Sequence, residues 1–320
     1  MMPGSQPAPL SIAVIGTGAI GGFYGGLLAR AGHRVQFLAR SDYAALRDHG
    51  LTLELGDETR RFPVEVFRET APMAVPEYLL LTGKATANEL FAKQIQPLVG
   101  PNTTLVCLQN GMGPTDFFAD AFGKEKIIGG LCFVCVNRIA PGVVRNLLRG
   151  KVELAEAFGP PSDRLARLVE AFAGAGIPCR AFPSLEQIQW KKLCWNIPFN
   201  GLAIAAGGLD TARILASPPL VRLARTLMEE VRAASAARGF PLEEAFLDLQ
   251  FSQTETMGPY RPSSLIDFQE GRPVEVEAIW GEPLRRGQLA GVAMPALQTL
   301  TELIRHLTGD EQTGKPSTAG

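Results

Sequence analysis

The chain has 320 residues, 46% of them hydrophobic, which is enough for a sizeable core and long enough for two domains. Its 31 basic residues are offset by 32 acidic ones, so the charge balance offers no handle for nucleic acid or an anionic membrane. No apolar run reaches the ~18 residues of a transmembrane helix. The N-terminal M-M-P-G-S-Q-P-A-P has neither the basic nor the apolar region of a signal peptide. Residues 1–10 and 313–320 read as disordered tails. Of the five cysteines (Cys107, Cys132, Cys135, Cys179 and Cys194), Cys132-x-x-Cys135 lies in an apolar, strand-like run. Residues three apart on a strand point to opposite faces. No second such pair exists and the three histidines are scattered, so no metal site is expected. The thiols read as reduced and structural, as in a cytoplasmic protein.

The first element is I-A-V-I-G-T-G-A-I-G-G, from Ile12 to Gly22. A short strand is followed by Gly16, Gly18 and Gly21 in G-x-G-x-x-G spacing, then by a helical run to Arg30. Gly16 permits the tight turn, Gly18 lets a pyrophosphate approach the backbone, and Gly21 lets the helix lie close on the strand. The helix N-terminus offers free N–H groups to phosphate. Gly16, Thr17, Gly18, Ala19, Ile20 and Gly21 are therefore candidate cofactor contacts. A second strand, His33 to Ala39, completes a βαβ unit. Where an NAD enzyme tends to place a carboxylate for the ribose 2′-hydroxyl, this chain has Arg40. A guanidinium can bind a 2′-phosphate that a carboxylate would repel, so the expected cofactor is NADP(H).

Ser41 to His49 reads as a short helix with Ser41 as its N-cap. Leu51 to Leu55 and Arg61 to Phe67 read as strands joined by a turn at Gly56-Asp57-Glu58. Tyr78 to Thr82 and Thr103 to Gln109 read as buried strands, with a helix over Ala85 to Leu98 between them. In a doubly wound sheet ligands bind outside the carboxyl ends of the strands. Lys84 and Asn110 stand at two such ends and are candidate cofactor contacts, although an ordinary loop lysine and an Asn-Gly turn would explain them equally well. Lys126 to Ile139 and Lys151 to Ala157 read as strands, Ser162 to Ala175 as a helix and Ile177 to Phe182 as a last strand. Residues 11–183 thus form an expected Rossmann-type α/β domain, and 184–312 an expected all-α domain.

The second domain opens with Lys192, Asn196 and Asn200 spaced by four, which places them on one helix face beside Trp190, Leu193 and Ile197. Buried without partners these polar groups would be costly, so either they serve a polar ligand or the edge faces solvent. Pro198 should kink that helix. Helices are expected over Pro218 to Arg238, Leu242 to Thr254, Val274 to Gln288 and Pro295 to Leu307. The apolar stripe around Val221 to Val231 is either core or the surface of a homodimer. Ser263 and Glu275, twelve apart, could share a pocket if Gly271-Arg272-Pro273 folds the chain back.

G-T-G-A-I-G-G, F-L-A-R at 37–40, Lys84-Ala85, Q-N-G-M-G at 109–113, P-G-V-V-R, W-K-K-L-C-W-N and P-S-S-L…E-G-R-P-V-E together resemble the ketopantoate reductase (2-dehydropantoate 2-reductase) family. That family is 6-phosphogluconate-dehydrogenase-like, and the resemblance spans about Ser11 to Leu307. It implies that Lys192 is the general acid for a ketone and that Glu275 holds the substrate. It also implies that Asn110, Asn196, Asn200 and Ser263 bind substrate, that Lys84 sits between cofactor and substrate, and that Arg40 takes the 2′-phosphate. The implied partner is a small 2-oxo acid in a cleft between the domains, reduced for pantothenate and coenzyme A synthesis. Trp195 and Pro198 depart from the family pattern and would reshape the substrate pocket. Reduction of another 2-oxo acid or an imine is the alternative activity, and non-catalytic NADP(H) sensing the alternative class.

Overall fold

The computed structural model describes residues 8–310, the side chains of 148 and 149 excepted. The expected tail at 313–320 and most of that at 1–10 lie outside the described residues. Leu10 departs from the tail reading: its side chain is buried and its carbonyl accepts the Arg34 N–H at 2.9 Å. The chain forms two compact units. One comprises residues up to Gln109 together with Pro114–Leu185; the other comprises Asn110–Gly113 and the residues from Glu186 onward.

Among the described residues of the first unit, ten strands make one sheet: β1 (Ser11–Ile15), β2 (Arg34–Leu38), β3 (Leu51–Leu55), β4 (Glu58–Phe62), β5 (Glu65–Phe67), β6 (Tyr78–Leu81), β7 (Thr104–Cys107), β8 (Ile127–Ala140), β9 (Val143–Glu156) and β10 (Cys179–Ala181). The order is β4-β3-β9-β8-β7-β6-β1-β2-β5, with β10 beside β9. The helices are α1 (Ala19–Arg30), α2 (Tyr43–His49), α3 (Asn88–Ile95), α4 (Pro114–Phe122) and α5 (Asp163–Gly174). Period-2 alternation sends Ile12 and Val14 of β1 to one face, with Phe23 and Tyr24 of α1 and Phe172 of α5. Ala13 and Ile15 go to the other, with Ile95 of α3 and Phe118 of α4. This is the doubly wound arrangement. β1 pairs in parallel with β2 on one side and β6 on the other, which makes it the switch point of the sheet.

Several local expectations change. Arg61 to Phe67 is not one strand. Phe62 pairs antiparallel with Leu51, whereas Glu65–Phe67 pairs in parallel with β2. Pro63 between them has no N–H for a ladder. The cap of α2 is Asp42 rather than Ser41. β9 begins at Val143, directly after the Pro141-Gly142 turn, and not at Lys151. Helix α4 was not expected.

The second unit contains α6 (Leu185–Ala205, entered from the first unit at Leu185), α7 (Thr211–Leu215), α8 (Pro218–Ala237), α9 (Glu244–Met257), α10 (Ser263–Gln269), α11 (Glu282–Leu289) and α12 (Pro295–Thr308). Trp190 and Phe199 of α6, Met228 of α8, Trp280 and Leu297 form its core. The α8 stripe of Ala224, Leu227, Met228 and Val231 is part of that core. The Glu230 carboxylate accepts the Ala296 and Leu297 N–H groups at 2.9 and 2.8 Å and so caps α12 on α8. Pro198 sits inside α6 without ending it. The helix expected over Val274 to Gln288 is instead a π-helical turn, Glu277–Gly281, followed by α11. Among the described residues no helix is long and apolar enough to cross a membrane.

Candidate active site

In the first unit the glycine loop joins β1 to α1. Gly16 has φ +92°, a conformation that a side chain would strain, and a methyl group on it would land on the Gly83 backbone nitrogen. The loops after β1 and β6 thus meet backbone to backbone, which puts Lys84 beside the glycine loop. Gly21 is equally constrained: a methyl there would strike the Gly16 carbonyl and the Thr82 hydroxyl. Around Gly18, by contrast, the space is open. The loop is therefore tightly packed beneath and clear above Gly18, where Ala19, Ile20 and Gly21 begin a helix with no acidic residue in its first turn. This backbone surface fits a pyrophosphate. The Thr17 hydroxyl donates to the Leu38 carbonyl at 2.9 Å and ties the loop to the end of β2.

Just past β2, Arg40 is exposed and makes no hydrogen bond or ion pair among the described residues. The nearby carboxylate of Asp42 is committed elsewhere. It accepts from Arg138 Nε and Nη2 at 2.8 and 2.7 Å, from the Gly142 N–H at 3.0 Å and from the Ser41 hydroxyl at 2.8 Å. Burial alone would push this carboxyl up; the Arg138 guanidinium and the other donors outweigh it and hold it below its ordinary value. Gln109 went unnoticed in the sequence. Its amide nitrogen donates to the Gly83 carbonyl at 2.8 Å and to Asn88 Oδ1 at 2.7 Å, bracing the segment that carries Lys84. The only hint was its place in Q-N-G-M-G.

In the second unit Lys192 Nζ donates to Asn110 Oδ1 at 2.8 Å. The two residues are 82 apart in the chain, so the fold and not local spacing creates the pair. Asn196 and Asn200, one and two turns further along α6, are 8% and 1% exposed. The face they share with Lys192 is therefore not a solvated edge. Asn200 Oδ1 accepts the Ser264 N–H at 3.0 Å and so caps α10. Ser263, the first residue of α10, is exposed while Ser264 is buried. Glu275 is buried after the Gly271-Arg272-Pro273 break, and its carbonyl accepts the Ile279 N–H at 3.1 Å. The loop after Asn110 docks on the same segment, with the Met112 N–H donating to the Ala278 carbonyl at 2.8 Å. Trp195 is fixed by its indole N–H on Thr254 Oγ1 at 2.9 Å and by stacking on Phe199 at 5.2 Å. An ammonium held by an amide, on a helix face that also carries two buried amides, can stabilise an anionic oxygen and deliver a proton.

Among the described residues no group of three or more His, Cys, Asp or Glu side chains is placed to hold a metal. All five cysteines are free, and burial pushes the Cys194 thiol up to about 12.

The family model for ketopantoate reductase PanE/ApbA matches residues 12–158, and that for the C-terminal domain of the same family matches 184–308. The chain belongs to the ketopantoate reductase family. It is an oxidoreductase of the class acting on CH–OH groups. It is 36% identical over 309 residues to a 2-dehydropantoate 2-reductase of Nostoc sp., covering 95% of this chain and 97% of that one. Among solved structures it is similar to 2-dehydropantoate 2-reductase from Geobacter metallireducens, with a TM-score of 0.89 and 38% identity over 92% of this chain and 99% of the other. A D-mandelate dehydrogenase solved with NADH and anilino(oxo)acetate shares the fold at TM-score 0.86 and 24% identity, over 93% and 98% of the two chains.

Proposed function

We propose that the chain reduces 2-dehydropantoate to (R)-pantoate with NADPH, as a cytoplasmic step of pantothenate and coenzyme A biosynthesis. The observation that carries this reading is the Lys192–Asn110 pair at 2.8 Å, in the family whose curated relatives bear that activity. NADPH would lie on the Gly16–Gly21 loop with its 2′-phosphate on Arg40 and supply the hydride. As negative charge builds on the ketone oxygen, the Lys192 ammonium stabilises it and gives up a proton, which water then replaces. Asn110 keeps that ammonium aimed. Asn196 and Ser263 hydrogen-bond substrate oxygens without adding charge, and Glu275 accepts from the substrate hydroxyl. Asn200 contributes at least through its cap on α10, which sets where Ser263 stands. Lys84, beside the glycine loop, bridges cofactor and substrate.

A second reading, reduction of a different 2-oxo acid, is favoured by one feature. Trp195, next to Asn196, is a large ring held rigidly by Thr254 and Phe199. The test is oxidation of NADPH with 2-dehydropantoate beside a panel of other 2-oxo acids, repeated with NADH. Fastest turnover with 2-dehydropantoate and NADPH is expected. Faster reduction of an aryl or branched 2-oxo acid would move the substrate and keep the chemistry. Equal use of NADH would remove the role of Arg40. Tight NADPH binding with no turnover on any acid would favour a sensor.

A further inference from the structure

On one side the loop that carries Asn110 is held by a carbonyl group, and the sequence explains why that carbonyl is free. In the π-helical turn at Glu277–Gly281, the Glu282 N–H donates to the Glu277 carbonyl, five residues back, instead of to Ala278 four back. The next residue, Pro283, has no N–H. Neither the donor of an α-turn nor that of a π-turn is left for the Ala278 carbonyl. It accepts the Met112 N–H instead, at 2.8 Å. Gly111, with φ +84°, lies so close that a methyl group on it would overlap the same carbonyl. From the other side Gln189, three residues before Lys192 on α6, donates its amide to the Gly111 carbonyl at 3.3 Å. Asn110 immediately precedes these anchored residues and accepts from Lys192 Nζ.

We propose that Pro283 is a positioning residue for the reduction: by denying Ala278 an intrahelical donor, it keeps that carbonyl available to hold the Asn110 loop against Lys192. The consequence for rate rests on the reading of Lys192 as proton donor; the anchoring of the loop does not. In Pro283→Ala the new N–H can close the π-turn onto the Ala278 carbonyl and compete with Met112. Replacing a proline within a helix by alanine does not weaken the helix itself. Small displacements of a reacting group cost up to about a hundredfold in rate, so a fall in kcat of about ten- to a hundredfold is expected.

The test is a double-mutant cycle with Asn110→Ala, alongside hydrogen exchange at the Met112 amide. Pro283→Ala should lower kcat in the wild-type background and add little once Asn110 is gone, and Met112 should exchange faster. Gly111→Ala attacks the same contact from the loop side and should behave alike, which keeps the test available if Pro283→Ala fails to fold. Additive losses in the cycle, an unchanged kcat, or unchanged Met112 exchange would overturn the proposal. If the wild type does not turn over 2-dehydropantoate at all, the functional reading fails, and Met112 exchange alone then decides the role of Pro283.

Discussion

Asp42 provides the sharpest test of how the first unit holds its cofactor end. Its carboxylate is 4% exposed and receives three hydrogen bonds from Arg138, one from the Gly142 N–H and one from Ser41. It fastens the segment after Arg40 to the β8–β9 turn. Asp42→Ala leaves the Gly142 N–H buried without its acceptor, which costs about 1–3 kcal/mol. Arg138 is 36% exposed and recovers part of its hydration, so its loss is well below the ~3–5 kcal/mol of a fully buried broken pair. The sum expected is about 2–4 kcal/mol, read as a lower midpoint in urea at unchanged slope. The carboxyl is held below its ordinary value, so its contribution is complete above the unfolded pKa of about 3.9 and is lost as pH falls through the lower folded value. Wild type and Asp42→Ala should therefore converge in stability as the solution is acidified and differ most near neutrality. A loss under about 0.5 kcal/mol at neutral pH, or a difference that grows with acid, would refute the reasoning.

The glycine loop separates packing from binding. Gly21→Ala should lower the melting temperature by several degrees, because its methyl meets backbone, whereas Gly18→Ala should melt like the wild type and bind NADPH about tenfold or more weakly. Thermal melts and cofactor titrations check both. Arg40→Ala should raise the KM for NADPH about tenfold or more and leave that for NADH within about twofold, since only the 2′-phosphate contact is removed.

The parts of this fold that were legible in the sequence are those set by neighbours in the chain. Gly16, Gly18 and Gly21 declare a turn, an open approach and a close packing through spacing alone, and the structure gives each that environment. The four-residue rhythm of Lys192, Asn196 and Asn200 likewise placed them on one face. Parts set by distant partners were not legible. The first half of β9, V-V-R-N-L-L-R-G, runs apolar and polar residues in pairs, so no period-2 pattern in the sequence announces the strand that pairs with β3 and β8. The Asp42 carboxylate is engaged by Arg138 and Gly142, about a hundred residues away in the chain, which no local pattern records. Pro198 reads as a kink, and α6 continues through it, with Trp280 donating to the adjacent Ile197 carbonyl at 3.0 Å. The π-turn and Pro283 each withhold a donor from the Ala278 carbonyl, and what that leaves free emerges only once Met112 is seen opposite.

The central claim is that Lys192 delivers the proton and the Gly16–Gly21 loop holds the cofactor. Its most direct test is Lys192→Ala, assayed for single-turnover NADPH oxidation with 2-dehydropantoate and, separately, for NADPH affinity by fluorescence titration. The expected result is a rate lowered by about 10²–10⁴ with NADPH affinity within about threefold of the wild type. A rate within tenfold of the wild type would contradict the claim.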